Sequence, residues 1–317
     1  MTQEQVPARP RVVAVVVTFD RLALLRRLVA RLREVDGLDE VLVLDNASTD
    51  GTAEWLATEA GREVDGPRLR HRTSATNRGG AGGFHDGLEW AVAEGADLVW
   101  LMDDDGLPDP DCLARLLARS GELDFWGPLV VDEDAGERLV FPIRLPGGTR
   151  VVRRLDDVRA AARDRLIRDV VIPFNGVLVT RDLVQRIGLP REEFFIWGDD
   201  HEYRLRAERA GARVATVVDA VVRHPAVGEL GTPMMWGRTT YNHSPSDLKH
   251  YCMARNNLVN LRDYRGWAHA AAFVVKTAWF YLVTRRDPAR LRLSVGAMRD
   301  GLRGDFTGHR RFLDGRA

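Results

Sequence analysis

The sequence predicts an α/β protein: an open, mostly parallel sheet covered by helices. Three observations predict it. Apolar, β-branched runs alternate with helical patterns at strand–helix–strand spacing. The runs are nearly continuous, as strands buried on both faces require. The early runs end in polar residues, and ligands of such sheets bind beyond the carboxyl ends of the strands.

In chain order, "RVVAVVVTF" (Arg11 to Phe19) reads as a buried strand, and "LALLRRLVARLREV" follows as a helix. "EVLVLDNAST" (Glu40 to Thr49) is a second buried strand, ending in Asp45 and Asn46. "DGTAEWLATEA" starts like a capped helix. "LRHRTSAT" is a short polar strand, "GFHDGLEWAVAEG" a helix and "DLVWLMD" the next buried strand. Between the polar strand and that helix lies "NRGGAGG" (Asn77 to Gly83). It has neither the GxGxxG order of a dinucleotide fold nor the GKS or GKT of a P-loop, which argues against a dehydrogenase or an ATPase. Its glycines suit close backbone approach to a ligand, or a tight turn into the helix starting near Phe84. Further on, "ERLVFPIRLPGGTRVVRRL" suggests an antiparallel hairpin and "VIPFNGVLVTRDLVQRIG" a strand and a helix start. "EEFFIWGDDHEYRLRAERAG" places aromatics before two aspartates and a helix. "ARVATVVDAVVRHP" suggests a strand pair ending at His224. After Pro225 comes a Gly- and Pro-rich loop.

The 317 residues are enough for one large domain with an appended subdomain. With 45% hydrophobic and 29% charged residues the chain is neither disordered nor collagen-like. Cys112 and Cys252 lie far apart in no metal-ligand spacing, which suits a reducing compartment. The N-terminal stretch has no long apolar run before a cleavage site, so no signal peptide is expected. Net charge is zero but uneven: from Lys249 onward there are 14 basic against 5 acidic side chains. That asymmetry suggests an anionic partner for the tail, although a solvated arginine-rich surface also accounts for it. "WAHAAAFVVKTAWFYLV" (Trp267 to Val283) is apolar but, at 17 residues with His269 and Lys276 inside, short for a membrane span. It reads as a buried or interfacial helix. The flanking Arg262, Arg265, Arg285, Arg286, Arg290 and Arg292 suit a bilayer interface, and packing against the rest of the chain or a second subunit explains the apolar face equally well.

"VWLMDDDGLPDP" (Val99 to Pro110) crowds three aspartates at a strand end. Like charges repel, more so where water is scarce, so something positive should offset them. A divalent cation does this, taking carboxylate and phosphate oxygens. Asp103 and Asp105, as alternate members, could face it, and a solvated turn is the plainer explanation. Asp199 and Asp200 form a second pair behind "FFIW". Aromatic surroundings suit sugar rings and can raise a carboxylate pKa toward that of a general base, while helix capping is the structural alternative. His224 at the end of a valine-rich strand becomes a third metal-ligand candidate beside the aspartates.

On "VVTFDR" (Val16 to Arg21), "VLDNASTDGT" (Val43 to Thr52), "TNRGGAGG" (Thr76 to Gly83), "LMDDDGLP" (Leu101 to Pro108), "FFIWGDDHEYRLRAERAG" (Phe194 to Gly211) and the later Arg223 and His224, the chain resembles inverting family 2 glycosyltransferases. The resemblance implies a GT-A type, Rossmann-like fold. Residues 1–225 would be the catalytic domain, with a nucleotide-sugar half at about 11–110 and an acceptor half at about 120–225. Residues 226–317 would form an acceptor loop and a basic, aromatic helical extension. It implies that Thr18, Phe19, Arg21 and Asp45 border the nucleotide base, and that Asn77, Gly79 and Gly80 lie by the ribose and diphosphate. Asp104 would reach the donor sugar or ribose. Asp103, Asp105 and His224 would hold Mg2+ or Mn2+, and Asp200 would be the base. Trp197, Asp199, His201, Trp236, Tyr251 and Arg255 would meet the acceptor.

More finely, "TNRGGAGG", "IWGDDHEY" and "YCMARNNL" (Tyr251 to Leu258) are similar to mycobacterial-type galactofuranosyltransferases, especially the shorter initiating kind of arabinogalactan synthesis. This implies UDP-galactofuranose as donor and a polyprenyl-diphosphate-linked saccharide as acceptor. It also implies a peripheral place on the anionic cytoplasmic face of the membrane. A homo-oligomer is left open, and nucleic acid is not an expected partner. Gly198 stands where the longer, polymerising relatives carry tryptophan. A rhamnosyltransferase using dTDP-rhamnose is the alternative, since the residues near Thr18 and Asp45 do not separate uracil from thymine.

Overall fold

The computed structural model describes residues 9–62, 65–148, 150–172, 174–227, 231–237 and 239–313. Most of the N-terminal stretch (1–8) and part of the loop after Pro225 (228–230) lie outside the described residues.

The first strand, β1 (Val12–Thr18), is buried along its whole length. Its pleat sends Val12, Ala14 and Val16 to one face and Val13, Val15 and Val17 to the other. Each buried valine contributes about 1.5–3 kcal/mol relative to exposure, so this strand anchors both layers. Helix α1 (Leu22–Leu32) covers the first face with Leu25, Leu28, Val29 and Leu32. The alternation continues through β2 (Glu40–Asp45), α2 (Thr52–Ala60), β3 (Arg68–Thr73), α3 (Gly79–Ala93) and β4 (Leu98–Asp103). These strands lie parallel in the order β3-β2-β1-β4.

Then come β5 (Leu107–Pro108), α4 (Cys112–Leu117), β6 (Phe125–Asp132), the hairpin of β7 (Arg138–Arg144) and β8 (Val151–Arg154), α5 (Leu155–Ala161) and β9 (Leu166–Arg168). They are followed by β10 (Asn175–Thr180), α6 (Arg181–Ile187), α7 (Asp199–Arg209) and β11 (Val214–His224). Strand β10 enters the sheet antiparallel between β4 and β6, and β11 runs parallel to β6. Helices α1, α2 and α4 share one core layer, and α3, α6 and α7 share the other. The fold is thus the expected Rossmann-like α/β type.

Two local expectations are corrected. The strand pair expected over "ARVATVVDAVVRHP" is one strand, β11, whose register shifts between Val217 and Val221. Asp219 sits in that bulge and pairs with Arg165 at 3.1 Å. The helix expected from Phe84 begins at Gly79. The glycines form its first turns, and at Gly83 and Gly87 the helix lies too close to β1 for a side chain. A Cβ on Gly83 would meet Val17 at 2.4 Å, and one on Gly87 would meet Val15 at 2.4 Å.

The chain closes with a small hairpin of β12 (Thr232–Met234) and β13 (Thr239–Tyr241), then α8 (Asp247–Arg265), α9 (Trp267–Trp279) and α10 (Pro288–Leu302). Helix α8 is the buried member of this layer. Tyr251, Cys252, Ala254 and Leu258 pack with Phe195, Ala297 and Met298. Helix α9 buries little beyond Ala270 and Thr277. Trp267, Val274, Val275, Leu282 and Val283 stay exposed. Among the described residues, no helix is long and apolar enough to cross a membrane.

Candidate active site

The parallel strands deliver their polar ends to one edge of the sheet. Thr18 ends β1, Asp45 ends β2 and Asp103 ends β4, with Thr18 paired to Asp45 and Val17 to Asp103 in register. The cation that the three aspartates call for is partly protein. Arg21 Nη1 donates to Asp104 at 3.2 Å and to Asp105 at 2.7 Å. Thr18 Oγ1 donates to Asp104 at 2.7 Å. Asp104 is almost wholly buried and turned inward to these donors. Burial raises its pKa despite them. Asp105 goes the other way: His224 and Arg21 outweigh burial and lower it.

For Asp103 the charge of His224 is the opposing influence, and it does not suffice. Burial first, and then the charges of Asp105 and Asp104, push it well above the usual carboxylate range. It is the member of the cluster whose charge is least offset.

His224 reaches this group because the bulged β11 runs on past the sheet centre to pair with β5. Its Nδ1 is 2.7 Å from the Pro225 carbonyl, which can only accept, so Nδ1 carries the hydrogen. That leaves Nε2, in the neutral ring, as a bare lone pair 3.1 Å from Asp105 Oδ1. The same Asp105 oxygen is buried without a hydrogen-bond donor. Two lone pairs facing at this distance require a positive centre, either a second ring proton or a metal ion. A backbone-held Nδ1–H is also how proteins fix a ligating imidazole. The donor set thus fits a hard divalent cation. Among the described residues, no three such side chains close into a cage, since Arg21 draws Asp104 and Asp105 to its own side.

Asp45 and Asn46 border the neighbouring hollow. Asp45 is fully buried. One oxygen accepts from the Ser48 N–H at 3.0 Å, while Oδ2 has no partner. Asn46 donates to the Gly79 carbonyl at 2.8 Å and leaves its own Oδ1 unmatched. Phe19 is half-buried beside Arg21. Asn77 Oδ1 accepts from the Gly79 N–H at 2.7 Å and so shapes the start of α3. Gly79 and Gly80 differ. Gly79 has φ 67°, and a Cβ there would come within 2.0 Å of the Phe195 carbonyl. Its smallness serves packing. Gly80 faces open space.

The second aspartate pair starts α7. Gly198, at φ 83°, turns the chain into the helix. Asp199 is buried, and Asp200 is part-exposed, accepting from the His201 N–H at 2.6 Å. Burial pushes both upward, and the charge of Asp200 adds to the rise of Asp199. The charge of Asp200 adds to the rise of Asp103, so the two acidic groups lie near each other. Trp197 is part-exposed on the same turn, and His201 is exposed one step into α7. Trp236 is 89% exposed, its ring 6.4 Å from that of Trp279.

Tyr251 and Arg255 are a correction. Expected to meet an acceptor, both are fully buried. Tyr251 donates to Asp300 at 2.6 Å, and Arg255 spends its guanidinium on the carbonyls of Phe194 and Phe306. A side chain with no exposed surface has nothing to offer an acceptor. Sequence reasoning gave no separate role to Asn256 and Asn260, which hold the turn before Asp199. The available signal was two amides at helical spacing among Leu258 and Val259 on an otherwise apolar face.

The model of "Glycosyl transferase family 2" matches residues 13–150. Galactofuranosyltransferase GlfT1 of Mycobacterium tuberculosis (strain ATCC 25618 / H37Rv) is 34% identical over 273 residues, covering 84% of this chain and 87% of that protein. The chain is a family 2 glycosyltransferase. Galactofuranosyltransferase GlfT1 of Mycolicibacterium smegmatis is 32% identical to this glycosyltransferase, across 93% of this chain and 97% of that one. Among solved structures, the mannosyltransferase PcManGT from Pyrobaculum calidifontis, in complex with GDP-Man and Mn2+, superposes with a TM-score of 0.51. It shares 20% identity and covers 94% of this chain and 76% of that one, a likeness of fold.

Proposed function

We propose that this enzyme transfers galactofuranose from UDP-galactofuranose to a polyprenyl-diphosphate-linked saccharide with inversion, in cell-wall galactan synthesis. The observation that carries the donor sugar is the one-third identity to two galactofuranosyltransferases over nearly the whole of each chain. The site supports the chemistry. The unmatched Asp45 Oδ2 can accept the imide N–H of a uracil, with Thr18, Phe19 and Arg21 around the base. The open backbone at Gly80, beside Asn77 and Gly79, admits the ribose and diphosphate, and Asp104 is the candidate contact for ribose or donor sugar.

Asp103, Asp105 and His224 would hold Mg2+ or Mn2+, which supplies positive charge against the departing diphosphate. Arg21 stands ready to share that charge as the carboxylates rearrange. Asp200 takes the proton of an acceptor hydroxyl, whose oxygen then attacks the anomeric carbon opposite the leaving diphosphate. Its raised pKa makes it a stronger base than a solvated aspartate. Asp199, Trp197, His201 and Trp236 line the acceptor side. The carbohydrate centre passes through an oxocarbenium-like state, and no covalent enzyme intermediate is needed.

The exposed Trp267, Val275, Leu282 and Val283 among Arg265, Arg285, Arg286 and Arg292 form a face suited to an anionic membrane, where a lipid-linked acceptor resides. The test of the donor is turnover of a synthetic lipid-linked disaccharide with a panel of nucleotide sugars. Transfer from UDP-galactofuranose, abolished by chelation and restored by Mn2+, is expected. Transfer from dTDP-rhamnose instead would overturn the reading.

A further inference from the structure

The turn carrying Asp199 and Asp200 is held in an unusual shape. Phe195 has φ 65°, Trp197 φ 67° and Gly198 φ 83°. Two non-glycine residues in the left-handed region cost of order 1–3 kcal/mol each, so the surroundings must over-determine the turn. Helix α8 does so. Asn256 Nδ2 lies 3.0 Å from the carbonyl of Phe194, 3.2 Å from that of Ile196 and 2.6 Å from that of Trp197. Asn260 Nδ2 donates to the Gly198 carbonyl at 2.8 Å. Arg255 adds a bond to Phe194 at 2.9 Å and, through Nε, fixes Asn256 Oδ1 at 2.9 Å. Glycine suits this approach, both for its positive φ and for its size. A Cβ on Gly198 would lie 3.3 Å from both Asn256 and Asn260.

Peptide planarity carries the clamp into the site. In a trans peptide the C=O and N–H point in opposite directions. The Trp197 carbonyl is drawn down to Asn256, so the Gly198 N–H of the same peptide points up, toward the Asp200 carboxylate. The Gly198 carbonyl is drawn down to Asn260, so the Asp199 N–H also points away from α8. These N–H groups favour the ionised aspartates against burial. We infer that Asn256 and Asn260 are positioning residues that orient the two peptides before and within the Asp199–Asp200 turn, and with them the carboxylate that takes the acceptor proton. This rests on the reading of Asp200 as that base.

The bland account is that two buried amides merely satisfy carbonyls. The two accounts differ in what a substitution does to the pH profile. Asn256→Ala, the isosteric Asn256→Asp and Asn260→Ala are compared with the parent enzyme. UDP affinity by calorimetry should stay within about twofold, because the nucleotide site is untouched. The donor KM should change little, while kcat falls about 10- to 100-fold. The acid limb of kcat should move to higher pH, since ionised aspartates lose N–H donors. Amide exchange over residues 194–201 should quicken in the same variants. A folded variant with parental kcat and an unmoved acid limb overturns the inference. Full activity of Asp200→Asn would instead strike the base assignment and leave the exchange result standing as the measure of the clamp.

Discussion

At the scale of single residues, the site is a problem of unmatched charge. Arg21 and His224 hold two of the three clustered aspartates directly, and for Asp103 the opposing charge of His224 is outweighed by burial and by Asp105 and Asp104. Asp200→Asn should lower kcat by about 10²–10⁴-fold with nucleotide binding retained, as removal of a general base does. Single-turnover transfer with a matched UDP titration checks this. The pair Asp199–Asp200 also sets the pH response. Burial, and for Asp199 the charge of Asp200, raise their pKa values, and only the ionised base can take a proton. The rate should therefore fall as pH drops through a value above the ordinary aspartate range. The same shift bears on stability. The folded state binds a proton more tightly than the unfolded chain, so ionising Asp199 costs stability progressively as pH rises from the unfolded pKa through the raised folded one. Asp199→Asn, which removes a buried charge and keeps the size of the side chain, should raise the melting temperature by a few degrees at pH 8. A melting temperature unchanged across pH 5 to 8 in both proteins would refute this account.

At the scale of elements, the glycines of α3 divide by task. Gly83→Ala and Gly87→Ala force the helix off β1 and should cost about 1–3 kcal/mol, read as a lower denaturation midpoint. Gly80→Ala meets nothing in the fold and should leave stability alone while raising the donor KM. Equal destabilisation by all three would show that Gly80 has no ligand to face. The sequence made the parallel half legible because β1, β2 and β4 are continuous apolar runs ending in Thr18, Asp45 and Asp103. It hid the insertion of β10 between β4 and β6, since an apolar strand looks the same in either direction and its pairing is non-local. It hid the single strand β11 because a bulge and a turn both interrupt a valine run with a polar residue. Arg255 resembled a ligand contact, and its amide neighbours gave no signal, because polar residues on a helix ordinarily face solvent. Here they face buried carbonyls, and only the packing of α8 under the turn reveals it.

At the scale of the whole molecule, the acidic edge of the sheet and the apolar, basic face of α9 are separate surfaces. A variant with Arg265, Arg285 and Arg286 neutralised should bind anionic vesicles more weakly in co-sedimentation. It should lose turnover on lipid-linked acceptors while keeping it on short soluble ones. Equal loss on both would place these arginines in the site and not at a bilayer. The seating of the aspartate turn on α8 has a further consequence for how the enzyme comes into being. Residues 194–198 find their hydrogen-bond donors some sixty positions later in the chain, at Asn256 and Asn260. The long helix supplying them packs in turn against α10 and the segment around His309. The strands and the nucleotide hollow can therefore assemble while the polypeptide is still emerging from the ribosome, but the Asp199–Asp200 turn is not braced until α8 has followed it out. A nascent molecule would bind donor before it could use it, and competence to transfer sugar would wait for the helix that carries Asn256 and Asn260.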